Sequence, residues 1–175
     1  MPVSNGRELM WDAAVRVLHW TLALIVAFNL VRDDGDLVHR AVGYVAVGVV
    51  LARWLWAGVC AARGRPTQLR PSPAATLAYL RLLARGQAPR SAGHNPLGLW
   101  MVWLLWSLVL LLGLTGWMSR WDMFWGDDRL LAIHAWLADA LLAAVIVHLA
   151  GVAAMSWLWK ENLPASMITG RRRPD

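Results

Sequence analysis

Four histidines lie inside apolar stretches of the chain, where an ionisable side chain is costly and is therefore a candidate for function. Imidazole is a common metal ligand, and its charge changes readily near neutral pH. Metal binding and proton transfer are therefore the chemistry that these positions favour, although a single buried histidine can also be a hydrogen-bonded structural residue. The four residues are His19, His39, His134 and His148.

Two of these histidines, His134 and His148, lie 14 residues apart in one apolar segment, IHAWLADALLAAVIVH. On an α-helix this separation is nearly four turns, so both rings lie on almost the same face, about 21 Å apart along the axis. The spacing predicts two separate sites at different depths.

The composition indicates a membrane protein. Hydrophobic residues make up 58% of the 175 residues, which is too many for an ordinary soluble domain. Thirteen tryptophans, against two tyrosines and two phenylalanines, favour membrane–water interfaces. The net charge of +6 does not indicate nucleic-acid binding, because the charges lie in loops between apolar runs. The single cysteine, Cys60, excludes an intramolecular disulfide and a cysteine-based metal cluster.

Long apolar runs predict four transmembrane helices, and hence an all-α, integral membrane four-helix bundle formed by a single domain, 1–175. No alternating pattern typical of β-strands competes with these runs. The predicted spans are 15–31, 37–59, 97–118 and 130–159.

The loop charges predict the orientation. The segment 61–93 contains six arginines and no acidic residue, whereas two short loops are rich in aspartate. Since cytoplasmic loops carry an excess of Lys and Arg, we expect both termini and this segment on the cytoplasmic side of a bacterial inner membrane. Within the segment, TLAYLRLLAR is either a short helix on the inner surface or part of a mobile linker. The charged residues are Arg63, Arg65, Arg70, Arg81, Arg85 and Arg90 in the segment, Lys160, Arg171, Arg172 and Arg173 in the tail, and Asp33, Asp34, Asp36, Asp122, Asp127 and Asp128 in the short loops.

This topology pairs the histidines by depth. His19 and His148 are expected toward the cytoplasm, and His39 and His134 toward the periplasm. Two facing imidazoles can hold one haem iron from both sides, which leaves no position for oxygen or substrate and suits electron transfer. Two such haems would carry electrons through the membrane. Zinc is disfavoured, because each depth offers two histidines and no cysteine, fewer ligands than zinc sites use.

Three arginines are candidates for pairing with haem propionates. Arg53 follows His39 by 14 residues and is expected on the same helix face, at the level of the cytoplasmic histidine pair. An arginine inside a membrane needs an anion, although its side chain can also extend to the interface. Arg16 lies one turn before His19, and Arg40 follows His39; each has the same role or anchors a helix end.

His94 lies in the sequence GHNPLG, just before the third predicted span. Asn95 suits a helix cap and Pro96 suits the first helical turn, so one interpretation is a capping and turn segment. The other hypothesis is that His94 helps to bind or protonate a quinone near the cytoplasmic haem.

Several motifs make the chain similar to a known family. They are WDAAVRVLHW, HRAVGY, RWLW, GHNPLG, IHAW, VIVH and WKENLPASMITGRRR, and they extend over nearly the whole chain. The sequence resembles the bacterial cytochrome b561 and nickel-hydrogenase cytochrome b family of four-helix di-haem membrane proteins. The resemblance implies two b-type haems, held by the first and fourth spans and by the second and fourth spans, and electron exchange with the quinone pool.

The chain departs from the hydrogenase subunits because it is shorter and its sequence predicts no fifth span. We therefore expect an inner-membrane di-haem cytochrome b that moves electrons between quinone and a periplasmic redox protein, with no catalytic side chain. The aspartate-rich periplasmic loops would attract a basic partner such as a c-type cytochrome. Three alternatives are the membrane-anchor subunit of a larger oxidoreductase, a superoxide:quinone oxidoreductase, and a non-redox membrane protein with structural histidines.

Overall fold

The fold is known from a computed structural model, which describes residues 8–32, 34–64, 69–91 and 93–172. Three charged residues of the orientation argument, Asp33, Arg65 and Arg173, lie outside the described residues. Over the described ranges the chain is all-α, apart from one pair of two-residue strands. The elements are β1 Glu8–Leu9, α1 Ala13–Val31, α2 Leu37–Ala62, α3 Pro73–Ala84, α4 Pro96–Met118, a short 3-10 helix Asp122–Phe124, α5 Asp128–Leu158, α6 Leu163–Thr169 and β2 Arg171–Arg172.

Among the described residues, α1, α2, α4 and α5 are long and apolar enough to cross a membrane. Each corresponds to one predicted span, and the observed ends differ from the predicted ends by at most three residues. The four predicted transmembrane helices are confirmed. Many large apolar side chains on these helices point outward, as expected where lipid replaces water.

Each long helix begins where a polar side chain caps its first turn. Asp12 accepts a hydrogen bond from the backbone N–H of Val15 at the start of α1, and Asn95 does the same for Gly98 at the start of α4. Such caps satisfy backbone donors that the helix itself leaves unpaired. Asp36 and Asp127 cap α2 and α5 in the same way.

The helices pack as α1 on α2, α2 on α4, and α4 on α5. The buried core is therefore shared by α2, α4 and α5, with Val50 fully buried at its centre. Gly113 of α4 lies directly against the side chain of Val47 on α2, so that a larger residue at 113 would overlap it. Small residues of this kind let membrane helices approach closely.

The bundle has two different ends. The terminal end carries the first and last described residues, α3 and α6, and there β1 pairs antiparallel with β2. The short-loop end carries residues 32, 34–36 and 119–127. The segment TLAYLRLLAR belongs to α3, where Tyr79 is buried and its hydroxyl contacts Met155 Sδ at 3.9 Å. Of the two alternatives for this segment, the short helix is the one observed, and Arg81 and Arg85 are exposed on it.

Candidate functional site

At the short-loop end, α2 and α5 bring the rings of His39 and His134 close together in an edge-on arrangement. Their ring centroids are 6.3 Å apart, and the ring planes are inclined at 65°. The sequence predicted this pair from depth alone, and the structure brings the two rings together.

The ring of His39 is held by the end of α1. His39 Nδ1 lies 2.6 Å from the backbone carbonyl oxygen of Arg32. A carbonyl can only accept, so Nδ1 carries the hydrogen and donates it, and Nε2 keeps a free lone pair. The amide of Asn29 adds a second contact by donating to the carbonyl oxygen of His39, at 3.1 Å.

The ring of His134 is held by α4. Its Nδ1 lies 2.7 Å from Thr115 Oγ1, which also lies 2.9 Å from the carbonyl oxygen of Leu111. The single hydroxyl hydrogen of Thr115 goes to that carbonyl, so Thr115 accepts from His134 Nδ1. Gly116 sits beside the ring, where an added Cβ would lie 3.5 Å from His134 Cε1. His134 Nε2 is therefore also left with a lone pair.

This geometry fits two axial ligands of one metal ion. A ring nitrogen binds a first-row metal at about 2.0 Å and lies roughly 1.1 Å from its ring centroid, so two axial imidazoles place their centroids about 6.2 Å apart. The observed 6.3 Å agrees with that value. Hydrogen bonding at the second ring nitrogen is also what metal-binding histidines usually have.

At the terminal end, His19 and His148 are close enough to interact electrostatically. His19 Nδ1 is buried and has no hydrogen-bond partner among the described residues. Buried polar atoms without partners are rare in native proteins and call for an unseen ion or ligand as explanation. This second pair therefore also fits a metal-binding group.

Arg53 lies buried at the same end, with 8% of its surface exposed. Its guanidinium carbon is 6.0 Å from the ring centroid of Trp106, and the carboxylate of Asp12 is near enough to interact with it. One guanidinium nitrogen, NH1, is buried without a hydrogen-bond partner in the described part of the chain. A buried cationic donor of this kind fits an acidic group such as a haem propionate.

The other two arginines of the prediction lie at helix ends. Arg16 NH1 donates to the carbonyl oxygen of Ile168 in α6 at 2.5 Å, while its Nε is buried without a partner among the described residues. Arg40 is half-buried in the first turn of α2, next to His39. Arg16 thus joins α1 to α6, and its Nε–H could still donate a hydrogen bond to a ligand.

His94 lies at the terminal end, near both histidines of the second pair. Its ring contacts the ring of Trp11 edge-on, with centroids 4.8 Å apart. Burial, together with the positive charges of Arg53, His19 and His148, lowers the pKa of His94 to about 4. His94 is therefore neutral at pH 7. Its proximity to the second pair was expected from the sequence.

The loop that carries His94 is fixed at several points. Arg90 forms an ion pair with Glu161 at 3.1 Å, and Trp159 Nε1 donates to the carbonyl oxygen of Ala88. Asn95 then starts α4 directly after His94. The capping interpretation of GHNPLG is thus confirmed, and it leaves the ring of His94 available for a second role.

Some residues of these sites were not predicted from the sequence. Thr115 and the Arg32 carbonyl orient the rings of the first pair, and Trp11 packs on His94. Asp12 both caps α1 and accepts from Trp56 Nε1 at 3.0 Å, on the side of Arg53. The sequence did contain a sign of the role of Thr115, because it is a hydroxyl residue within the apolar run LLLGLTGW. The role of the Arg32 backbone carbonyl leaves no such sign in the sequence.

Comparison with known proteins agrees with this geometry. A family model described as prokaryotic cytochrome b561 matches residues 10–170, nearly the whole chain. No curated protein matches the chain. The family implies b-type haem and electron transfer in a multi-pass bacterial membrane protein, and both histidine pairs fall within the matched range. The chain belongs to the prokaryotic cytochrome b561 family.

Proposed function

We propose that the protein is a di-haem b-type cytochrome that carries electrons across the bacterial inner membrane, between the quinone pool and a periplasmic redox partner. The observation that carries this proposal is the pair His39 and His134, whose centroids are 6.3 Å apart. A haem between them would supply one-electron chemistry at an iron closed to oxygen and substrate. The protein residues orient the ligands and exclude water.

The second haem would be held by His19 and His148, about 21 Å along the bundle from the first. Arg53 supports this assignment, because its buried guanidinium needs an acidic partner at that depth. Arg16, with one unpartnered donor, would bind the other propionate at the same end. Arg40 would serve the first haem from the start of α2.

The charge distribution supports an orientation with the terminal end in the cytoplasm. Arginines concentrate at that end, and the short-loop end carries Asp34, Asp36, Asp122, Asp127 and Asp128. The acidic short-loop end would then face the periplasm, where it would attract a basic redox protein such as a c-type cytochrome.

The quinone is assigned to the terminal end, beside His94. The neutral ring of His94 has one donor nitrogen and one acceptor nitrogen, as a quinone carbonyl or quinol hydroxyl requires. Next to this region, an apolar groove of about 420 Å³ lies between α1 and α2 and is lined by Leu18, Leu55 and Trp56 among others. Such a groove suits the isoprenoid tail of a membrane quinone.

Counting haems tests the proposal. A pyridine haemochrome assay on the purified protein should give two b-type haems per chain. His134→Ala should remove one haem and His148→Ala the other, so each variant should retain one per chain. Ser107→Ala, which removes an exposed hydroxyl from α4, serves as the control and should retain two. A wild-type value of zero or one would contradict the two-site assignment.

A further inference from the structure

The two histidine pairs differ in how their rings are held. At the short-loop end both rings are hydrogen-bonded at Nδ1, His39 to the Arg32 carbonyl at 2.6 Å and His134 to Thr115 at 2.7 Å. At the terminal end, His19 Nδ1 is buried without a partner among the described residues. This asymmetry lies in the protein itself and does not depend on which side faces the cytoplasm.

A hydrogen bond at the second nitrogen makes an imidazole a stronger base and a stronger electron donor to the metal. Stronger donation stabilises the more positive, oxidised iron and therefore lowers its reduction potential. Thr115 suits this task because its own hydrogen goes to the Leu111 carbonyl, which leaves its oxygen free to accept. It is buried in α4, with 8% of its surface exposed, so water does not compete for the bond.

The terminal end has the opposite influence. Arg53 is buried there, and Arg53, His19 and His148 all lie within electrostatic reach of His94. A positive charge at this end favours the reduced, less positive iron. Even when a propionate balances part of this charge, Arg40 beside His39 is only half-buried, so solvent screens its charge more than that of the buried Arg53. Ligand hydrogen bonding and local charge thus act in the same direction.

We propose that Thr115 is a positioning residue that holds His134 as a strong donor, and that the haem at the short-loop end consequently has the lower reduction potential of the two. Electrons that enter at the short-loop end then pass downhill to the terminal end. The inference rests on the two-haem assignment above and adds an order of potentials to it.

The test is a redox titration of the purified holoprotein, followed through the haem absorbance bands. In wild-type protein we expect two components of different potential. Thr115→Val removes the hydroxyl and keeps the shape, so the lower component should shift to more positive potential while the upper one stays. Thr115→Ser keeps the hydroxyl and should retain the wild-type values. Electron paramagnetic resonance of the oxidised protein should show a changed low-spin signal for one haem in Thr115→Val only.

The outcomes separate this inference from the function on which it rests. A shift of the upper component, or no shift in Thr115→Val, overturns the inference while two haems per chain still support the function. Loss of one haem in Thr115→Val but not in Thr115→Ser supports the positioning role. Loss in both variants overturns that role, because packing and not the hydroxyl would then hold the ring. Wild-type protein with fewer than two haems overturns both.

Discussion

In each histidine of the first pair, one hydrogen bond decides which ring nitrogen carries the proton and which is free to bind a metal. His39 and His134 each give their Nδ1 hydrogen to a neighbouring oxygen, and this leaves both Nε2 atoms for a metal. His94 differs, since its ring contacts the ring of Trp11 edge-on.

Replacing His94 should therefore affect the quinone reaction and not the haems. In His94→Leu we expect haem oxidation by added quinone to be about tenfold slower, the effect of one lost hydrogen bond. His94→Gln keeps a donor and an acceptor and should recover part of the rate. The measurement is stopped-flow absorbance, with the haem spectrum as a check that the sites remain intact.

The pH dependence of this effect follows from the pKa of His94, which burial lowers to about 4. Its ring stays neutral at ordinary pH, so the ratio of wild-type to His94→Leu rates should be constant between about pH 6 and about pH 8. A ratio that changes severalfold across this range would contradict a neutral His94.

Asp36 links charge to the position of His39. Its carboxylate accepts hydrogen bonds from the backbone N–H of His39 and from the side chain of Arg32. The bond from His39 is the main cause that lowers the pKa of Asp36 below its usual 3.8, and Arg32 contributes less. An acid with a lowered pKa stabilises the fold above its ordinary pKa, and this contribution is lost as the pH falls through the folded value.

Asp36→Asn should accordingly lower the melting temperature of the detergent-solubilised protein at pH 7, while the difference from wild type should shrink as the pH approaches 3. Asp34→Asn is the matched control, because Asp34 also pairs with Arg32 but does not cap α2. Equal losses of melting temperature in both variants at pH 7 would show that the surface ion pair, and not the helix cap, stabilises the fold.

At the scale of the helices, close packing of α2 on α4 sets the space in which the histidine rings meet. Gly113 lies against the side chain of Val47, so Gly113→Ala should cost roughly 1–3 kcal/mol of stability by overpacking. Val47→Ala in the same chain should restore part of that loss, since it removes the overlapping methyl groups. Denaturant unfolding of the single and double variants gives the coupling free energy.

Gly58→Ala is the control for this pair, because an added Cβ at 58 meets nothing within 4 Å. Alanine is also the better helix former, so Gly58→Ala should be neutral or slightly stabilising. If Gly113→Ala lowers the free energy of unfolding no more than Gly58→Ala does, then α2 and α4 pack less closely than in the structure.

The helices themselves could be predicted from the sequence because apolar runs and capping residues are local signals. Asp36 and Asn95 stand directly before α2 and α4, and the predicted starts at 37 and 97 lie within one residue of the observed ones. The contact of Thr115 with His134 could not be predicted, because it depends on how α4 is rotated against α5. The depth of each histidine along its span predicts only which histidines share a level.

At the scale of the whole molecule, the first and the last described residues meet at one end of the bundle and close it. Trp20 Nε1 donates to the carbonyl oxygen of Met167 at 3.2 Å, and Met10 donates its N–H to the carbonyl oxygen of Gly170 at 2.9 Å. Residues 147 and 160 positions apart are thereby joined near His19. Neither contact was predictable from the sequence, since each joins α1, or the residues just before it, to a tail that has no apolar pattern of its own.

Gly170 is the residue on which this closure depends most directly. Its φ of 74° lies in the left-handed region, and an added Cβ would lie 2.7 Å from the carbonyl oxygen of Trp11. Gly170→Ala should therefore cost more than the roughly 1–2 kcal/mol of left-handed strain alone.

Gly86→Ala is the matched control, because Gly86 has a φ of 72° but an added Cβ there meets nothing within 4 Å. We expect faster hydrogen exchange around 8–12 and weaker haem retention at the terminal end in Gly170→Ala only. Equal exchange rates in the two variants would mean that the termini do not hold that end closed.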